Sequence, residues 1–141
     1  MKTIMKTATT FYLLLTAQFG LAQSSKDSLD VQKLAESTVT YFYKGDITSF
    51  GNLFSSDAIF IAVTGVVAKG QSQIVDMHKK WKIDSATTIK YKPPIIKFIT
   101  SDIAVCYMAW DGLVFGEGPA KGIVQSGYLT LLSQRLGKDW K

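Results

Sequence analysis

His78 is the only histidine among 141 residues and Cys106 the only cysteine. Acid–base chemistry near neutral pH therefore has one natural carrier. His78 stands at helical spacing between Ile74 and Trp81, where it can act as an acid, a base or a group that orients a ligand. The competing reading is a histidine held in the core by apolar neighbours. Asp111 closes an alternating stretch whose one parity reads Ile103, Val105, Tyr107, Ala109, Asp111. If that parity lines a pocket, desolvation raises the carboxyl pKa and suits it to general acid or base work. Otherwise it is a strand-end carboxylate reaching water before Gly112. Tyr41, Phe60, Trp81, Tyr107, Trp110 and Tyr128 would give a cavity an aromatic lining, with hydroxyls to orient a mainly apolar ligand. Ordinary core packing uses the same residue types.

Cys106 alternates with Ala104 and Met108 and reads as a small buried hydrophobe. The lysines beside Trp81, namely Lys79, Lys80 and Lys82, could suit an anionic ligand, although a solvated helix face explains them better. One histidine and one cysteine do not make a standard zinc site, and the acids are too scattered for a calcium loop. No glycine-rich phosphate loop or serine-nucleophile elbow is present. The expectation is a site with no metal, nucleotide or other cofactor.

The segments around these residues suggest where they sit. Lys2 and Lys6, a short apolar core about Leu13 to Leu15, and Gly20-Leu21-Ala22 have the pattern of a cleaved export signal over residues 1–22. The core is too short for a membrane-spanning helix, so no stable membrane anchor is expected. Residues 23–141 then form one domain, periplasmic or secreted. Of the 16 basic residues two fall in the signal, so 14 basic against 11 acidic residues leave +3, and nucleic-acid binding loses most of its compositional support.

Val31, Leu34, Ala35, Thr38 and Phe42 share one face of a first helix, with Ser28 as its cap and Gly45 as its terminator. Asp46 caps a second, short helix with the stripe Ile47, Phe50, Leu53, Phe54. Ala58 to Val63 turns at Thr64-Gly65 into Val66-Val67, and a third helix spans about Gln71 to Trp81. Strands follow at Thr87 to Tyr91, Ile95 to Thr100, Ile103 to Asp111 and Ile123 to Gln134, with turns at Pro93-Pro94, Ser101-Asp102 and Gly116 to Pro119. Helices first and an antiparallel meander after make an α+β layout. Both parities of the last two strands carry large apolar groups. Both sheet faces are therefore expected to be covered, one by helices and one by a second subunit.

The strings Tyr41 to Tyr43, Gly45-Asp46, Leu53 to Ala58, Gly70, Tyr128-Leu129-Thr130 and Gly137 to Trp140 occur in the order that resembles the nuclear transport factor 2-like superfamily and its small SnoaL-like domains. The resemblance implies a cystatin-like cone, three N-terminal helices on a curved antiparallel sheet; the apolar groups on both parities of the last strands suit a homodimer packed through that sheet. Relatives that resemble ketosteroid isomerase carry a base carboxylate in the first strand; here that position is Ala62, which disfavours the chemistry in its usual form. Relatives also continue past the Gly-Lys-x-Trp turn with a full final strand, so at Lys141 that strand is expected to be cut short.

The leading expectation is an exported domain that binds a small apolar or aromatic molecule. The alternatives are a cofactor-free isomerase, cyclase or dehydratase using Asp111 and His78 for proton transfer, and an oligomerisation or partner-binding module.

Overall fold

A computed structural model describes residues 25–62, 64–84 and 87–141. The expected export signal lies outside the described residues. The chain divides into two compact units, Met1–Asp30 and Val31–Lys141. In the first, residues 25–30 are helical and Lys26 bonds Asp30 one turn on, at 2.6 Å. Ser28, expected as a cap, lies inside that helical segment.

The second unit opens with helical residues 31–43, here α1. Gly45, at φ +70°, ends this helix in the left-handed conformation that glycine enters without steric cost. The amide N–H groups of Gly45 and Asp46 cap the carbonyls of Phe42 and Tyr41. Asp46 then starts α2 (Ile47–Gly51), its carboxylate accepting the Ser49 N–H at 3.0 Å. That bond to the charged form, backbone N–H first, holds the Asp46 pKa below the usual carboxylate range. The helix stops at Gly51, short of the stripe through Phe54. Gly51 packs against Val75, where a Cβ would come within 2.4 Å of a methyl group.

Strands β1 (Ile59–Ile61) and β2 (Val67–Lys69) pair antiparallel as a separate hairpin, and α3 (Gly70–His78) follows directly. The expected helix to Trp81 is one turn too long: Trp81 N–H bonds the His78 carbonyl beyond the helix end.

The larger sheet contains β3 (Lys90–Tyr91), β4 (Ile95–Phe98), β5 (Ile103–Val114), β6 (Val124–Leu136) and β7 (Asp139–Trp140), all pairings antiparallel. Pro93-Pro94 does not reverse the chain as expected. β3 and β4 lie along the same edge of β5, and the two prolines, which lack N–H donors, interrupt one continuous pairing. Between Asp111 and Leu113 the β5–β6 register shifts at Gly112, φ +91°, where a Cβ would lie 2.1 Å from the Thr88 carbonyl oxygen. Only glycine fits that bulge.

One face of β5 and β6 is core. Ala104, Cys106 and Met108 pack with Val31, Leu34, Ala35 and Val39 of α1 and with Trp140. Small residues at positions 35, 104 and 106 let the helix and sheet approach closely. A second cluster, around Phe50, Ala68 and Ile74, joins α2, β2 and α3. The opposite face of the sheet is open: Ile95, Tyr128 and Leu132 are 72%, 83% and 74% exposed. Arg135 bonds Asp102 and the Ser101 carbonyl and lies 4.8 Å over the Trp140 ring, tying the β4–β5 turn to the last hairpin.

Candidate functional site

Ile74 and His78, one turn apart on α3, are both buried. This is the helical face the sequence spacing anticipates. His78 sits in a cage of rings, with centroids of Phe50 at 4.4 Å, Trp81 at 4.5 Å, Phe60 at 4.7 Å and Phe42 at 5.4 Å. Its Nδ1 lies 2.7 Å from the Ile74 carbonyl oxygen. A carbonyl only accepts, so Nδ1 carries the proton, and in the neutral ring Nε2 is the acceptor. Burial pushes the His78 pKa below its ordinary value, with the bond to Ile74 working the other way. Neutral imidazole is thus the form favoured near pH 7.

Beside this cage is a cavity of about 510 Å³. Phe42 and Tyr43 at the end of α1, Gly45 in the turn and Ile47 of α2 form one wall, and His78 and Lys79 of α3 another. The third wall is a strap that contributes Trp81, Lys82, Ile83, Asp84 and Thr87. The strap is pinned to the end of β5, because Asp84 N–H bonds the Val114 carbonyl at 2.9 Å and the Thr87 hydroxyl bonds both polar backbone groups of Val114. Gly116 N–H holds the Lys82 carbonyl at 2.8 Å. Trp81 stands edge-on to Phe42 at 5.6 Å. The cavity is therefore apolar and aromatic at Phe42 and Trp81, has one polar ring at His78, and carries lysines at positions 44, 79 and 82.

The structure brings together only part of the expected set. His78, Trp81 and Phe60 meet, although Phe60 packs against the His78 ring and does not line this cavity. Tyr41 packs on the second core cluster. Trp110 lies over its cross-strand neighbour Gly127, where a Cβ would come within 2.8 Å of the indole. Tyr107 and Tyr128 stand on the open face of the sheet, 48% and 83% exposed. Asp111 shares their parity, opposite Ser126 and Lys90, and is exposed. It does not converge with buried His78. Cys106 is fully buried, and burial pushes its thiol pKa up. Sequence reasoning missed Lys44, Tyr43 and Thr87, which reach the cavity from a turn, a helix end and a loop. No periodicity marks such positions.

No protein-family model and no curated protein sequence matches the chain. Solved structures do. A protein with a cystatin-like fold from Caulobacter vibrioides superposes with a TM-score of 0.68 at 19% identity, over 79% of this chain and 81% of that one. A ketosteroid isomerase-like protein from Erwinia carotovora atroseptica gives 0.64 at 15%, over 80% and 88%. A type 2 hexachlorocyclohexane dehydrochlorinase gives 0.70 at 17%, over 85% and 82%. The chain has the cystatin-like α+β fold. At these identities the likeness carries the fold alone, and function rests on the residues of the site.

Proposed function

We propose that this protein is an exported small-molecule-binding domain whose site is the aromatic cavity between α1, α3 and the strap. The observation that carries the reading is the joint placement of Phe42, His78 and Trp81 at one cavity of about 510 Å³, a volume within the range of small-ligand sites. Aromatic burial would supply the affinity, and neutral His78 would offer an acceptor to a ligand hydroxyl or amide. Similarity to a ketosteroid isomerase-like protein and to a dehydrochlorinase is consistent with such a pocket. A second reading has its own observation. Nδ1 of His78 is committed to Ile74, which leaves Nε2 as a base, so His78 without Asp111 could take a proton from a bound ligand.

The test is a thermal-shift screen of residues 23–141 against sterols, fatty acids, aromatic polyketides and small carbonyl compounds. A ligand at 100 times its dissociation constant adds about 2.7 kcal/mol, which raises the melting temperature by roughly 4 °C or more. Loss of that increment in Trp81→Ala supports the assignment; an increment unchanged by Trp81→Ala refutes it. Turnover of a hit that His78→Gln abolishes would favour the second reading. Self-association through the open sheet face belongs to the same proposal, supported by exposed Ile95, Tyr107, Tyr128 and Leu132, a patch of the kind that marks an interface.

A further inference from the structure

Lysines reach the cavity from three places: Lys44 from the α1–α2 turn, Lys79 from the cap of α3, and Lys82 from the strap. A solvated helix face accounts for Lys79 and Lys80, but not for the arrival of Lys44 from another element. Against these charges stand Asp84, also in the lining, and Asp76, whose Oδ1 lies 3.1 Å from Lys79 Nζ. No ion pair among the described residues engages Lys44 or Lys82.

The ends of α1 and α3 also face the cavity, and helix C-termini by themselves disfavour anions. Their last carbonyls are already engaged, however. Lys44, Gly45 and Asp46 N–H groups cap α1, and Lys79, Lys80 and Trp81 N–H groups cap α3. What remains is a fraction of a charge per helix, against full charges on two lysines that form no ion pair among the described residues.

We propose that the cavity selects organic anions, seating a flat apolar body against Phe42 and Trp81 and directing a carboxylate or sulfonate to Lys44 and Lys82. This rests on the binding reading above and names the class of ligand for that site. The positions of the lysines, exposed at the mouth, suit them to attract and orient a charged group while the aromatic wall provides burial.

A matched pair of fluorescent probes separates the two claims. 8-Anilinonaphthalene-1-sulfonate and N-phenyl-1-naphthylamine share one aromatic skeleton and differ by the sulfonate. Each exposed lysine contributes modestly to a charge pair, so two together give about a tenfold preference for the anion at low salt. The double variant Lys44→Gln, Lys82→Gln should bring the affinities of the two probes within about twofold of each other. Added salt should erode the wild-type preference and not the variant's. Equal affinities in the wild type, or a preference that survives the double variant, overturns the anion inference. If the neutral probe still binds and loses affinity in Trp81→Ala, the binding reading stands without it. If neither probe binds, both fail.

Discussion

Replacing His78 with phenylalanine should remove a specific pH dependence of stability. The ring is 2% exposed and sits among four aromatic side chains, so phenylalanine preserves a ring in the cage. It forfeits the Nδ1–H bond to Ile74, a loss of about 1 kcal/mol. Burial lowers the folded-state pKa of His78 from its ordinary 6.5. Below pH 6.5 the unfolded chain therefore binds more protons than the folded one, and wild-type stability falls as pH drops from 6.5 toward the folded pKa, then levels off below both. One such group costs at most about 1.4 kcal/mol per pH unit over that window. Urea unfolding followed by circular dichroism at pH 8.0 and 5.5 measures it. With an m-value of about 1.5 kcal/mol/M, the wild type should lose up to about 0.9 M more in midpoint than His78→Phe on acidification. Equal losses in both proteins would show that His78 titrates alike folded and unfolded, and would refute the argument that the cage excludes its charge.

Three further outcomes follow from the backbone and the open face. Gly112→Ala forces a Cβ to within 2.1 Å of the Thr88 carbonyl and should cost more than about 3 kcal/mol. Gly65→Ala has a similar positive φ with nothing within 4 Å and should cost only about 1 kcal/mol; equal costs in chemical denaturation would refute the bulge argument. Gly127→Ala should displace the Trp110 indole from its seat, changing the near-ultraviolet circular dichroism and costing about 1–2 kcal/mol, whereas an unchanged spectrum would contradict the packing. The proposed self-association through the open face predicts a wild-type dimer in sedimentation equilibrium that Tyr128→Asp with Leu132→Asp converts to a monomer; a monomeric wild type, or a dimer that persists in the variant, would refute that interface.

The chain's change from helical to alternating period made the α+β layout readable, and the Ile74–His78 spacing correctly placed the histidine on the buried side of α3. The face of the sheet was not readable. Ile103, Val105, Tyr107 and Ala109 look like a pocket lining that leads to Asp111, yet α1 covers the other parity, where Ala104 and Cys106 permit close approach. Strand alternation says that two faces exist; a tertiary contact decides which is buried. For the same reason Tyr107 and Tyr128 read as ligand contacts and lie in the open. Pro93-Pro94 carries the residues of a turn, but loss of two N–H donors suffices to interrupt a strand without reversing it. Lys44 and Thr87 enter the cavity only because Gly45 turns the chain and Val114 pins the strap, and neither lysine nor threonine in a loop announces such a role.

The most direct test of the account is a two-dimensional NMR titration that follows the indole N–H signals of Trp81, Trp110 and Trp140 as N-phenyl-1-naphthylamine is added. The cavity assignment predicts that the Trp81 signal moves saturably, while Trp110 over Gly127 and Trp140 in the core stay in place. Movement of Trp110 without Trp81, or of none of the three despite measured binding, would put the ligand site somewhere other than this cavity.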